Sequence, residues 1–203
     1  VNAGGAPGQG ANGMHVYVGL VRGINVGSST LVAMAYFRRL FEDLGYTDVV
    51  TLLRSGNVVF TSARVLTAAD VTAIEGAFAT VAGFRAGFVV LSAEQFLGIA
   101  AENTLLDIAT DKAKLVVAYV PLGEAGGPVA GLAQLNLPHA DQLLPEVIAV
   151  GPRAVYVWCA NGISNSRVPA SFWKQLGPVY TARNVNTVEK LAALVSQRLE
   201  SGE

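Results

Sequence analysis

The chain has 203 residues, 52% of them hydrophobic and 14% charged, with 14 Lys+Arg against 15 Asp+Glu and a single cysteine. That balance excludes the bulk cationic field that drives nonspecific duplex binding, an intramolecular disulfide framework, and a zinc cage made from Cys159, His15 and His139 alone. No apolar run reaches the roughly 18 residues a spanning helix needs, and no cationic start with an apolar leader opens the chain, so a soluble, cytoplasmic protein off the membrane is expected.

A mean hydropathy of +0.44 with so few charges implies deep burial, and an apolar face that a homodimer would hide. Residues 1–13 carry almost no apolar surface and read as a flexible tail or expression remnant. The fold is expected to start at Met14. Val16 to Val21 reads as a strand running into the polar loop RGINVG at 22–27. Met34, Phe37, Leu40, Phe41 and Leu44 recur at helical spacing opposite Arg38, Arg39, Glu42 and Asp43, with Gly45 as a left-handed stop. Val49 to Leu53 and Val58 to Thr61 are β-branched runs, and Gly56 and Asn57 between them tolerate the positive φ of a tight hairpin.

Thr67 with Asp70 has the spacing of a capping box ahead of Val71, Ile74, Phe78 and Val81, and Gly83 ends that helix. Phe88 to Leu91 is the next strand, and Ser92 with Gln95 caps a shorter helix through Ile99. The second half repeats the order. Leu115 to Val120 is a strand, a weak helix lies near Val129 to Leu135, and two strands flank Gly151-Pro152. A helix carrying Phe172, Trp173 and Leu176 stops at Gly177, Val179 to Thr181 is extended, and Asn186 with Glu189 opens a last helix. The fold class is therefore α+β: two ferredoxin-like β-α-β-β-α-β halves, 14–102 and 113–203, related by duplication, each with an added helix.

The stretches RGINVG at 22–27, SGNVVF at 55–60, NGISNSR at 161–167 and TARNVNTV at 181–188 together resemble the family called domain of unknown function 1697. The resemblance runs from Met14 to the last helix and implies a two-part α+β architecture with recurrent polar motifs. The family often carries lysines just after the first motif, where Ser28, Ser29, Thr30 and Leu31 stand here.

In a ferredoxin-like sheet of order 4-1-3-2, the end of strand one lies beside the start of strand three. Arg22 and Asn25 are thus expected to approach Ser55 and Asn57, with Gly23, Gly27 and a helix starting near Leu31 turning N–H groups toward an anion. In the second half, Asn161, Ser166, Arg167, Arg183 and Asn184 are expected to form a second polar cluster. Asn, Gly and Ser are also ordinary turn and cap residues, and an Arg at a strand end can lock a loop as readily as hold a ligand. Cys159, alternating within an apolar strand, reads as a small hydrophobe rather than the nucleophile of a Cys-His-Asn site.

No paired-carboxylate site, P-loop, dinucleotide fingerprint or metal-ligand spacing appears, so neither a cofactor nor a metal is expected. The leading reading is a module that binds a phosphate-bearing small molecule or a nucleic-acid backbone through Arg22, Asn25, Ser55, Asn57, Arg183 and Asn184. Two other readings stay open. One is an enzyme of phosphoryl or acyl transfer in a cleft between the halves; the other is a ligand-free homodimer module whose motifs fasten the halves together.

Overall fold

The computed structural model describes residues 13–25, 30–123 and 126–201. The expected tail, apart from Gly13, and the turn at Gly27 lie outside the described residues.

The first sheet is built from β1 (His15–Val21), β2 (Thr47–Leu52), β3 (Asn57–Ser62) and β4 (Phe88–Ser92) in the order β2-β3-β1-β4, with antiparallel neighbours throughout. Two helices, α1 (Met34–Asp43) and α2 (Ala68–Ala82), connect its strands, and α3 (Ala93–Ala101) follows β4 directly. The glycines Gly45 and Gly83 take left-handed φ values of 87° and 76° where α1 and α2 end. At the start of α2, Asp70 accepts from the Thr67 N–H at 2.8 Å and its hydroxyl at 2.9 Å, while the adjoining Arg64 guanidinium holds its carboxyl well below the usual carboxylate range. Ser92 and Gln95 exchange reciprocal cap bonds of 3.2 and 2.9 Å at the start of α3.

Several positions differ from expectation. α1 starts at Met34 rather than near Leu31, and residue 30 instead closes the preceding loop by accepting the Asn25 N–H at 2.7 Å. In the β2–β3 turn the positive φ falls on Leu53 (58°) and Gly56 (78°), because Asn57 is already a fully buried strand residue. The last extended segment runs over 181–184 rather than 179–181.

The second sheet contains β5 (Leu115–Tyr119), β6 (Val147–Val150), β7 (Ala154–Trp158) and β8 (Thr181–Asn184) in the order β6-β7-β5-β8, again antiparallel. Its helices are α4 (Ala140–Leu143), α5 (Ala170–Lys174) and α6 (Val185–Ser201). The helix expected near Val129 to Leu135 is reduced to a 3-10 turn over Leu132–Gln134, and α4 is an addition to the expected elements.

Strand alternation sorts the apolar side chains into three cores. Tyr17, Val21, Val58, Phe60 and Phe88 face α1 and α2 on the outer side of the first sheet. Val116, Ala118, Val155, Val157 and Cys159 face α5 and the 3-10 turn on the outer side of the second. The opposite faces of both sheets, with Val18, Leu20, Val117 and Tyr156, share one central core with α3 and α6. There α6 packs against β1 and β3 of the first sheet as well as β5 and β8 of its own.

Polar bonds tie the same layer together. Tyr156 Oη donates to the Ile99 carbonyl at 2.7 Å, and Arg153 pairs with Glu102 at 2.6 Å. Phe96 stacks on Tyr119 with centroids 5.7 Å apart. The Tyr119 hydroxyl is enclosed there without a hydrogen-bond partner among the described residues, and burial raises its pKa above the ordinary phenol value. Tyr119→Phe removes a buried donor that no protein acceptor meets among the described residues, so it is expected to hold or raise stability by about 1 kcal/mol. A shift of the urea midpoint upward or by nothing would agree; a clear fall would mean that the hydroxyl has a partner in solution. Among the described residues, no helix is long and apolar enough to cross a membrane.

Candidate functional site

Leu20 stands opposite Asn57 in the β1–β3 register, so the exit of β1 lies beside the turn that enters β3. The two chain segments are also bonded directly, Val21 N–H donating to Gly56 O at 3.0 Å. Beyond β1 the backbone adopts left-handed φ at Gly23 (71°) and Asn25 (55°), while Ile24 between them is buried in the first-sheet core. Asn is among the few residues with a side chain that visit this region readily.

The Asn25 side chain acts as a clip. Its Nδ2 donates to the Arg54 carbonyl at 2.7 Å and the Val32 carbonyl at 3.2 Å, and its Oδ1 accepts the Val32 N–H at 2.9 Å. Thus the motif loop is fastened both to the β2–β3 turn and to the approach to α1. Asn57, fully buried, donates through Nδ2 to the Leu52 carbonyl at 2.8 Å and to Ser55 Oγ at 3.0 Å. Its remaining acceptor, Oδ1, takes a 2.5 Å bond from Arg183 Nε.

Arg183 projects from β8 of the second sheet into this corner. Its Nη2 donates to the carbonyls of Val21, Ser55 and Gly56 at 2.8, 2.9 and 3.1 Å, and its Nη1 to Thr181 Oγ1 at 2.6 Å and the Ala182 carbonyl at 2.8 Å. Burial pushes its pKa down to about 10, which still leaves the guanidinium charged at neutral pH. Among the described residues no carboxylate is ion-paired with it; oriented carbonyls do that work. The planar fork reads the backbone of the first sheet and seats the second sheet against it.

Arg22 is in a different situation. Its side chain is exposed, its Nη1 reaches the Pro178 carbonyl at 3.3 Å, and its guanidinium lies 4.1 Å from the centroid of the Tyr180 ring. Trp173 stacks on Tyr180 with the rings 11° from parallel and centroids 6.0 Å apart. Ser55, whose carbonyl accepts from Arg183, is exposed as well. The corner therefore has a locked floor of Asn25, Asn57 and Arg183 and an open rim of Arg22 and Ser55.

The expected second cluster divides. Asn184 Oδ1 accepts from the Thr187 N–H at 3.0 Å and its hydroxyl at 2.9 Å, making Asn184 the cap of α6 in place of Asn186. Ser166 and Arg167 gather instead around buried Glu146, whose Oε2 accepts from Ser166 Oγ at 3.1 Å and the Arg167 N–H at 2.8 Å. The Asn161 carbonyl accepts from Asn165 at 3.2 Å, and Arg183 faces the first sheet. Sequence reasoning missed Thr181, Tyr180 and Glu146. Glu146 had one available signal: a lone acid at the head of an apolar strand must find donors.

Cys159 is buried, with desolvation raising its thiol pKa, as suits a packed side chain. Fold and site together define an α+β protein of two antiparallel sheets, sealed at one corner by a buried arginine. Residues 14–156 match the family described as protein of unknown function (DUF1697), and the chain belongs to it. The matched span holds the first two motifs and ends before the third. Among solved structures, the chain is similar to conserved bacterial protein SP0830 from Streptococcus pneumoniae, with 26% identity, a TM-score of 0.62, and coverage of 90% of this chain and 99% of that one. No curated protein matches the chain.

Proposed function

We propose that this protein is a noncatalytic binding module that holds a phosphate-bearing small molecule at the Arg22 corner. The observation that carries this reading is the contrast within the corner: the Asn25, Asn57 and Arg183 side chains are engaged within the protein, while the Arg22 charge is exposed, stacked on Tyr180 and, among the described residues, not ion-paired with a carboxylate. Arg54, in the same turn as Ser55, and Arg85, two residues before the Gly87 carbonyl that accepts the Arg22 N–H, are exposed too, and neither has an ion-pair partner among the described residues. Arginine beside a hydroxyl suits a phosphate, which accepts forked and single donors together.

The sheet order, the same in both sheets, supports two ferredoxin-like halves, 14–102 and 113–203, related by duplication. A cytoplasmic setting agrees with the single, buried thiol. In this reading Asn25, Asn57, Arg183 and Asn184 position the corner, and Arg22 and Ser55 contact the ligand. A ligand that binds only the native state at 100 times its Kd adds about 2.7 kcal/mol of stability. A nucleotide, a sugar phosphate and an oligonucleotide, each titrated at fixed ionic strength, are therefore expected to include at least one that raises Tm in the wild type and not in Arg22→Ala. Silence from the whole panel, or equal shifts in the variant, would end the reading.

A second reading, a ligand-free role for the motifs in holding the halves together, is favoured by Arg183 itself, which bonds both sheets. The same panel separates them, since that role leaves Arg22→Ala and wild type equally indifferent to every compound.

A further inference from the structure

A cleft of about 320 Å³ opens between α2 and the entry to β4, lined by Thr72, Glu75, Gly76, Arg85, Gly87 and Val179. It adjoins the seat of Arg22. The Arg22 N–H donates to the Gly87 carbonyl at 3.2 Å, and its guanidinium bonds the Pro178 carbonyl and covers the Tyr180 ring. Val179, between those two residues, belongs to the wall of the cleft.

Gly76 is the unusual member of the lining. It stands inside α2, where glycine is the poorest helix former after proline, yet its φ is not left-handed. Outside its own stretch of helix backbone, no atom lies within 4 Å of where a Cβ would stand, so no close neighbour calls for glycine there. Gly87 differs, because a Cβ on it would stand 3.0 Å from both Val179 methyls. The open space at Gly76 is thus kept by the sequence without a use in the protein's own packing.

The polar groups of the lining are few and fixed. Glu75 Oε1 accepts the Phe88 N–H at 2.9 Å, while its Oε2 has no hydrogen-bond partner among the described residues. Thr72 Oγ1 donates to the Ala68 carbonyl at 3.1 Å and keeps its lone pairs for another donor. Arg85 is exposed and forms no ion pair with Glu75 or any other acid among the described residues. One acid and one base leave the cleft without net charge, so it does not select an anion. It suits a neutral polyhydroxy ring: the carboxylate takes hydroxyl protons, the guanidinium donates to hydroxyl oxygens, and Val179 meets the C–H face. Its volume sits at the lower end of the roughly 300–1,000 Å³ of small-molecule sites, room for one sugar.

We infer that the ligand of the Arg22 corner is a phosphorylated sugar, its phosphate on Arg22 and its ring in the α2 cleft, with Glu75 as the specificity-determining acceptor. The inference rests on the phosphate reading of that corner. A free sugar phosphate and the ribose phosphate of a nucleotide share this chemistry.

Calorimetric titrations of the full chain at fixed ionic strength compare ribose 5-phosphate and adenosine 5′-monophosphate with inorganic phosphate, which lacks the sugar. At least one of the two is expected to bind about tenfold tighter than inorganic phosphate or better. Ribose 5-phosphate binding as well as the adenosine compound, or better, points to a free sugar phosphate; a preference for the adenosine compound points to a nucleotide. Glu75→Gln keeps an oxygen for the Phe88 N–H but puts an amide donor in place of the free carboxylate oxygen, and is expected to remove at least about fivefold of the gain. Gly76→Leu fills the cleft and is expected to abolish the gain, with inorganic phosphate binding unchanged and a ligand-free Tm no lower than wild type. Arg22→Ala should lose all three compounds. If Gly76→Leu lowers the ligand-free Tm, Glu75→Gln supplies the decision. Arg22-dependent binding to which the sugar adds nothing, or a gain that survives either cleft variant in folded form, would overturn the cleft assignment and leave the corner standing. No binding of any compound up to about 10 mM would end both.

Discussion

Arg183→Met is expected to lower unfolding stability by at least about 3 kcal/mol, because it removes the charged donor from several acceptors at once, at about 1–3 kcal/mol for each that loses its only partner. Those acceptors are Asn57 Oδ1 and the carbonyls of Val21, Ser55 and Gly56. Methionine fills much of the arginine stem's volume, so the loss reports the polar contacts rather than a cavity. Arg183→Lys keeps the charge but concentrates it on one nitrogen, which cannot serve the Asn57 amide and the three carbonyls in the same geometry. It should recover less than half of the deficit. Urea unfolding with an unchanged m-value would place the effect in stability; a loss under about 1 kcal/mol for Arg183→Met would show that water replaces the fork without difficulty.

Gly56→Ala is expected to be comparably damaging. At φ +78° an added Cβ would stand 2.2 Å from Val21 Cγ1 and 2.9 Å from two Ile24 carbons, so the strand end and the motif loop must both retreat. The left-handed backbone costs about 1–2 kcal/mol for a residue with a side chain, and forced overpacking about 1–3 kcal/mol more. Gly45→Ala is the matched control. Its φ is +87° and nothing lies within 4 Å of the added atom, so only the conformational part should appear. Equal losses in the two variants would show that steric crowding at residue 56 is relieved cheaply. Because the Gly56 carbonyl and its bond to Val21 hold the Arg183 fork, losses at 56 and 183 should be less than additive in the double variant.

What was legible in the sequence was local periodicity and punctuation. The Phe37, Leu40 and Phe41 spacing, the Gly45 and Gly83 stops, and the Ser92–Gln95 box each depend on neighbours within a few residues, and each is found in place. Short elements were less legible. β8 and α4 have 4 residues each, too few for a period to stand out, and Asn186, with Glu189 three residues on, read as the cap that the structure gives to Asn184. The direct passage of β8 into α6 is what moves the cap two residues back.

At the site, Leu20 opposite Asn57 is the kind of neighbourhood that antiparallel pairing predicts. The partner of Asn57 was not legible, because Arg183 reaches it across 126 positions of sequence and from a different sheet. That contact depends on how the sheets are stacked, which no spacing rule encodes. The same holds for Arg22, whose ring partner Tyr180 also belongs to the other half of the chain.

The placement of α6 bears on biosynthesis. This helix completes the layer against β1 and β3, so those early strands wait for α6, which follows every other described element in chain order, before their inner face is shielded. A nascent chain must therefore carry an adhesive inner face on its first sheet until α6 has left the ribosome, an interval in which the exposed strands are open to wrong partners.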